Sequence, residues 1–281
     1  MTYLPSTSEI LVRIDELLGN PDGIRVAIVG LGVAGKAMAL YLKQQGACVV
    51  GIDQRETWKD DDFCNCMGDG FELVLGPLDE DLLDTVDLVV VGPGVDPRQS
   101  ILQQIHRGGK PVIGELELLG TLPSIVCAVT GTNGKSTTTA MIGEIVQSTG
   151  ETVFVGGNLG IPISKWVASS EPTRFAVLEL SSYQLETAYR FSPKVALVLN
   201  ITPDHSERYD KHEDYALTKE GILKNLSESD VAVLNFDDER VCLMEGTTRG
   251  AVWWFSTEGP IDNRDGVYLE GNSLKGSGRF E

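Results

Sequence analysis

Thr130-Gly131-Thr132-Asn133-Gly134-Lys135-Ser136-Thr137 is the stretch of this sequence best equipped for chemistry. An apolar run, Ile125 to Val129, precedes it, and a helix-like run, Thr138 to Gln147, follows. Strand, glycine loop, lysine, hydroxyl and helix, in that order, make a cradle for nucleotide phosphates. Backbone N–H groups of the loop and of the helix N-terminus are expected to face the phosphates. Lys135 adds a positive charge near the transferable phosphate, and the Ser136 hydroxyl can hold Mg²⁺. The loop is a short variant, because Val129 occupies the position five before Gly134 where the general pattern has glycine. A plain turn ahead of a capped helix is the alternative reading.

Three more residues sit where such a cradle could use them. Glu179 closes the apolar run Phe175 to Leu178 and opens Glu179-Leu180-Ser181-Ser182-Tyr183-Gln184-Leu185-Glu186. A carboxylate at a strand's C-terminal end, in a sheet that carries a phosphate loop, suits Mg²⁺; a helix-start acid beside a capping serine fits the spacing equally well. His205, in Asn200-Ile201-Thr202-Pro203-Asp204-His205, follows the next strand and reads either as a solvated loop histidine or as a ligand-touching one. Lys219 falls in a helix expected from Tyr215 to Leu226, where a lysine ordinarily faces solvent.

A second glycine loop, Gly30-Leu31-Gly32-Val33-Ala34-Gly35, follows the strand-like Arg25 to Val29. It matches G-x-G-x-x-G, with Asp53 roughly 20 residues on, the arrangement that places a dinucleotide's diphosphate on the loop and a ribose on the acid. The same loop can serve another nucleotide, since backbone N–H groups do not read the base, or it can be a tight turn without a ligand. Gly92-Pro93-Gly94-Val95 ends a further strand at the same sheet edge and could line the same crevice.

The elements that must hold these loops read as two α/β domains in tandem. Short apolar strands at 25–29, 48–53, 88–91 and 112–113 alternate with helical stretches Lys36 to Gln45 and Ile101 to Arg107, the pattern of a doubly wound parallel sheet. A boundary is expected at 119/120, in Leu119-Gly120-Thr121-Leu122-Pro123. The pattern then restarts, with strands expected at 125–129, 153–155, 175–179, 195–199, 231–234 and 251–255. Most are unbroken β-branched or leucine runs, as in strands buried on both faces. Gly259 to Glu281 is polar and glycine-rich and is expected to fray. At the other end, Ile10, Leu11, Ile14, Leu17 and Leu18 recur at helical spacing, with Arg13, Asp15 and Glu16 between them, so a helix and not a signal peptide is expected there.

Composition narrows the partners. With 23 Lys+Arg against 41 Asp+Glu the formal charge is −18, which disfavours nucleic acid. No apolar run approaches the ~18 residues that span a membrane. The five cysteines have irregular spacings; Cys64 and Cys66 form an isolated pair without a second one, so zinc is not expected, and Cys48 and Cys127 read as small core residues. Reduced thiols fit a cytoplasmic protein.

Gly131 to Thr137, Gly156-Gly157-Asn158-Leu159-Gly160, Glu179 to Glu186 and Thr202-Pro203-Asp204-His205 together resemble the Mur ligases, and the run after Glu179 resembles the branch that adds D-glutamate. The resemblance implies a Rossmann-like domain over 1–119 that binds a uridine-diphosphate substrate. It implies a P-loop ATPase-type α/β domain over 120–281. The reaction implied is cytoplasmic: ATP-dependent joining of D-glutamate to UDP-N-acetylmuramoyl-L-alanine through an acyl phosphate, in peptidoglycan synthesis. Carried over by position, Gly131, Thr132, Asn133, Gly134, Lys135, Ser136 and Thr137 hold ATP, with Asn235 and Asp238 on the adenine side. Ser136 and Glu179 hold a first Mg²⁺. His205 helps hold a second, together with Lys219, which stands where the family carries a carbamylated lysine. Lys135, His205 and Lys219 are the implied catalytic set. Gly32, Val33, Ala34, Gly35, Asp53 and Gly92, with Asn158 and His205, are implied to contact the uridine substrate. Ala34 replaces a threonine usual in the first loop, and Glu207 stands where aspartate is common. Family members are also much longer and carry a third domain, so this chain is expected to be a truncated piece with little turnover alone, as a monomer. The rivals are an NAD-dependent oxidoreductase, which leaves Gly131 to Thr137 without a use, and a nucleotide-binding module without catalysis.

Overall fold

The computed structural model describes residues 7–121, 124–169 and 171–280. The chain forms two compact units. The expected boundary segment runs into positions 122 and 123, which lie outside the described residues. The first unit contains everything N-terminal to that point, and also Ile161–Glu171 and Glu186–Arg190, two later segments that the sequence reading assigns to the second domain.

In the first unit the elements are α1 (Thr7–Gly19), β1 (Arg25–Val29), α2 (Val33–Gln44), β2 (Cys48–Asp53), α3 (Asp61–Met67), β3 (Glu72–Leu75), α4 (Glu80–Asp84), β4 (Leu88–Val91), α5 (Ser100–Arg107) and β5 (Val112–Ile113). The strands form one parallel sheet in the order β3-β2-β1-β4-β5. Its core follows from the sequence: Val26, Ala27, Ile28 and Val29 are all buried, and α1 closes one face with Ile10, Ile14, Leu17 and Leu18. Each fully buried valine, leucine or isoleucine among them contributes roughly 1.5–3 kcal/mol on leaving water. The chain changes direction between β1 and β4, so a crevice opens at the C-terminal ends of these strands. Helix α2 begins at Val33, not Lys36, and takes Gly35 into its first turn. A Cβ on Gly35 would lie 1.9 Å from the Gly30 carbonyl oxygen, so helix and loop touch backbone to backbone.

The two later segments are tied into this unit by buried carboxylates. Glu117 lies in the 3₁₀ segment Glu115–Thr121 and accepts from the Tyr189 N–H (2.6 Å), the Arg190 N–H (3.0 Å) and Arg190 Nε (2.8 Å). In α7 (Ile163–Ser169), Ser164 donates from its hydroxyl to the Ala34 carbonyl (3.2 Å) and from its N–H to Glu115 (3.4 Å).

The second unit comprises β6 (Ile125–Thr130), α6 (Lys135–Ser148), β7 (Val153–Gly157), β8 (Phe175–Glu179), α8 (Ser182–Leu185), β9 (Val195–Val198), α9 (His212–Glu220), β10 (Val231–Asn235), α10 (Glu239–Cys242), β11 (Ala251–Ser256), β12 (Gly266–Glu270) and β13 (Ser273–Ser277). Its sheet runs β13-β12-β11-β10-β9-β6-β8-β7, parallel except for the antiparallel β12–β13 pair. Strand β6 lies between β9 and β8, again a point where strand order reverses, and its C-terminal loop is the lysine-bearing one.

Four expectations change. The C-terminal stretch does not simply fray: it supplies β12 and β13, joined at Gly271, whose positive φ of 60° suits a tight hairpin. Helix α9 starts at His212 and ends at Glu220, because the chain turns at Gly221. Cys48 is exposed at the outer end of β2, whereas Cys127 is half-buried in β6 with its thiol pushed up to about 11 by burial. Lys219 is buried, at 1% exposure. Among the described residues no helix is long and apolar enough to cross a membrane.

Candidate functional site

In the second unit the site is built on the ends of β6, β8 and β9. After β6 the chain passes through Gly131 (φ 146°) and Gly134 (φ 84°) into α6. The loop is knitted to the segment that follows β9. The Thr132 N–H donates to the Asn200 carbonyl (2.9 Å) and the Asn133 N–H to Asn200 Oδ1 (2.8 Å), while Asn200 Nδ2 donates back to the Asn133 carbonyl (3.0 Å). The Thr132 hydroxyl donates to the Thr202 carbonyl (3.1 Å), accepts the Thr202 N–H (3.0 Å) and lies 3.1 Å from the Tyr215 hydroxyl. The amides of Thr132 and Asn133 are therefore spent on holding the loop. The anion-facing donors are those of the first turn of α6, at Lys135 to Thr137, which have no acceptor within the helix. Lys135 Nζ folds over the loop and donates to the carbonyls of Gly131 (3.0 Å) and Thr132 (2.8 Å). Ser136 is exposed beside it.

Glu179 sits at the tip of β8, in register with Val129 of β6 and Gly157 of β7, and is 2% exposed. Asn158 braces it twice, from its N–H to the Glu179 carbonyl (2.8 Å) and from Nδ2 to Oε1 (2.9 Å). The rest of its run is a capping box: Gln184 Oε1 accepts from the Ser181 N–H (2.9 Å), and Ser181 Oγ accepts the Gln184 N–H (3.3 Å). Ser181-x-x-Gln184 was a legible helix-start signal, and it assigns the serine to α8 and leaves the glutamate to the sheet tip.

Gly157 sets how close β7 comes to Glu179. Its φ is 117°, and a Cβ there would lie 2.3 Å from the Glu179 carbonyl oxygen. Gly157→Ala is expected to lower stability by ~2 kcal/mol or more, combining backbone strain with a clash. Gly150→Ala, at φ 84° with nothing within 4 Å, is the strain-only control and should cost less. Equal losses in thermal melts of the two variants would remove the clash from the account.

Lys219 projects from α9 to within 3.4 Å of the Thr130 hydroxyl and 4.8 Å of the Tyr215 ring centre. Burial, then the nearby Lys135 charge, pulls its amine down to about 7, with Asp204 and Glu179 opposing. Burial thus favours the neutral, nucleophilic form of this amine. His205 occupies a left-handed backbone position (φ 53°), with Nδ1 3.0 Å from the Tyr183 hydroxyl and 3.1 Å from Glu207. Asn235 and Asp238 turn inward: Asn235 Nδ2 donates to the Leu199 carbonyl (2.8 Å), and Asp238 accepts the Ile201 N–H (2.8 Å) while capping α10. Both brace the strand end that carries Asn200.

In the first unit a cavity of about 760 Å³ opens at the sheet's reversal point. Gly30, Gly32, Val33, Ala34, Gly35, Asp53 and Gly92 line it, together with Gly76 to Leu78 and Pro93 to Val95. Its size suits a nucleotide-sized ligand. Asp53 accepts the Leu31 N–H (2.9 Å), the Arg55 N–H (3.1 Å) and both Arg55 Nε (2.6 Å) and Nη2 (2.8 Å). The Arg55 hydrogen bond is the largest cause holding its carboxyl below the usual range, against desolvation. Sequence reasoning missed Arg55, whose guanidinium also lies 4.6 Å over the Trp58 ring. It missed Asn200 as well, whose pairing with Asn133 spans 67 residues.

No three His, Cys, Asp or Glu side chains converge as a metal cage among the described residues. The second unit instead offers one serine hydroxyl and one braced carboxylate beside a phosphate loop. That donor set fits Mg²⁺, which keeps waters and borrows phosphate oxygens.

Comparison with known proteins agrees with this architecture. Residues 24–114 match the Mur ligase MurD-like N-terminal domain, and residues 129–276 match the Mur ligase middle domain. A UDP-N-acetylmuramoylalanine--D-glutamate ligase of Koribacter versatilis is 41% identical over 254 residues, covering 88% of this chain and 56% of that protein. One from Pelotomaculum thermopropionicum is 40% identical over 255 residues, covering 90% of this chain and 56% of its own. The chain thus spans about half the length of the curated relatives it matches. Among solved structures, the UDP-N-acetylmuramate:L-alanyl-gamma-D-glutamyl-meso-diaminopimelate ligase of Neisseria meningitides shares the fold, with a TM-score of 0.57 at 18% identity over 91% of this chain and 85% of that one. With the two family models covering residues 24–114 and 129–276, the chain belongs to the Mur ligase family.

Proposed function

We propose that this chain carries the uridine-substrate and ATP-handling parts of a cytoplasmic ligase that joins D-glutamate to UDP-N-acetylmuramoyl-L-alanine. In this reading 1–119 binds the uridine substrate and 120–281 binds ATP, with the protein working as a monomer. The observation that carries it is the meeting, at the end of one sheet, of the lysine-bearing loop, the braced Glu179 and the buried Lys219.

The chemistry demands charge neutralisation more than a protein nucleophile. The alanyl carboxylate oxygen attacks the γ-phosphorus and ADP leaves; the D-glutamate amine, having lost a proton, then attacks the acyl carbon and phosphate departs. A carboxylate and a triphosphate repel each other, so the barrier falls by positioning and by fixed positive charge. Lys135 supplies that charge at the loop. The first-turn amides of α6 orient the phosphates. Ser136 and Glu179 would hold one Mg²⁺, and His205 with a carbamylated Lys219 a second; when bound, these ions offset the charge that builds on the phosphoryl oxygens. Asn158 keeps Glu179 aimed, and the cavity beside Gly30 to Gly35 takes the uridine diphosphate.

Calorimetric titration separates this from dinucleotide chemistry. The chain should bind UDP-N-acetylmuramoyl-L-alanine and give no heat with NADH. Binding of NADH alone would overturn the assignment of the first unit.

A further inference from the structure

Tyr183, His205 and Glu207 form a closed triangle in the second unit. The Tyr183 hydroxyl lies 3.0 Å from His205 Nδ1 and donates to Glu207 Oε1 (2.8 Å), and Nδ1 lies 3.1 Å from the same carboxylate oxygen. The remaining ring nitrogen, Nε2, stands 3.6 Å from Asp204 Oδ2. Of the two neutral tautomers, one satisfies all three contacts of the triangle. With the imidazole proton on Nδ1, that N–H points at a carboxylate oxygen and a phenol oxygen, and the phenol proton goes to the carboxylate. With the proton on Nε2, the Nδ1 lone pair faces an anionic oxygen at 3.1 Å with no hydrogen between them.

The triangle is held from outside. Tyr183 is fixed by the capping box that starts α8, and its ring lies under the Arg208 guanidinium (4.8 Å) and beside Tyr209 (6.3 Å between ring centres). The His205 carbonyl accepts the N–H groups of Arg208 (2.9 Å) and Tyr209 (3.0 Å), which folds the loop back so that Glu207 reaches the ring.

We propose that Tyr183 and Glu207 are positioning residues for His205, keeping its proton on Nδ1 and leaving the Nε2 lone pair free to ligate a divalent cation. This cation role rests on the proposed function; the control of the ring does not. Histidine ligands commonly donate their second N–H to a carboxylate or similar acceptor, and loss of that partner weakens metal binding by about 10–100-fold.

The test is ¹⁵N NMR of the imidazoles in this chain, which has three histidines, His106, His205 and His212, with His205→Asn to assign the signal. At alkaline pH, His205 should show a protonated Nδ1 and an unprotonated Nε2. Tyr183→Phe with Glu207→Ala should move it toward the Nε2–H form, while the His106 signal and the melting temperature stay near wild type. In the presence of ADP, the double variant should bind Mn²⁺ at least about 10-fold more weakly. An Nε2–H form in the wild-type chain, or an unchanged ring signature in the double variant, overturns the proposal. If the ring behaves as expected but Mn²⁺ with ADP neither broadens the His205 signals nor binds more weakly to His205→Asn, the ring control stands and the metal placement in the proposed function falls.

Discussion

In the full-length form of the proposed ligase, Lys135→Ala is expected to lower turnover by at least ~100-fold, the scale for losing one preorganised charge stabiliser. Lys135 Nζ donates to the carbonyls of Gly131 and Thr132, which holds its ammonium over the loop. Little else depends on it. The loop's shape is set by Asn200 and Thr202, whose bonds to Asn133 and Thr132 do not involve the lysine. The variant should therefore melt close to wild type while losing both activity and affinity for ATP. Turnover near normal, measured as D-glutamate-dependent phosphate release, would remove Lys135 from the chemistry.

Lys219→Met is expected to push stability and function in opposite directions. The amine is 1% exposed, its hydrogen-bond acceptor lies 3.4 Å away, and no carboxylate pairs with it at contact distance among the described residues. Methionine has similar length and no group to desolvate, so the replacement should raise the melting temperature, because burial disfavours the charged amine. Turnover of the ligase should nevertheless fall by at least ~100-fold, because a methionine cannot accept CO₂ and present an anion. A group that costs stability and supports activity marks a functional site. A lower melting temperature with unimpaired turnover would make Lys219 an ordinary packing residue.

Much of this was readable from residue order, and the exceptions have physical causes. Strand β8, Phe175–Glu179, was legible to the residue, because an unbroken apolar run ends on a charged side chain. Both glycine loops were legible, since strand, glycines and helix start are local signals. The burial of Lys219 was not. Helix α9 reads His-Glu-Asp-Tyr-Ala-Leu-Thr-Lys-Glu and has no clean apolar stripe, so which face packs against the sheet is decided by tertiary contacts. Leu217 of that helix is 54% exposed while Lys219 is buried, the reverse of their intrinsic preferences. The C-terminal hairpin was missed because Ser273–Ser277 at the sheet edge carries a single large apolar residue, Leu274. Its signal was the Gly271-Asn272 pair between two short runs. The amide exchange between Asn133 and Asn200 joins two loops, and the triangle at His205 joins a loop to helix α8; no local pattern announces such pairings.

The acyl-phosphate route is tested most directly by following oxygen. UDP-N-acetylmuramoyl-L-alanine carrying ¹⁸O in its alanyl carboxylate is incubated with the ligase, ATP, Mg²⁺ and D-glutamate, and the released phosphate is analysed by mass. The account predicts one ¹⁸O in each phosphate, since the carboxylate oxygen that attacks the γ-phosphorus leaves with it. Phosphate released without label, alongside formation of the amide, would contradict the account.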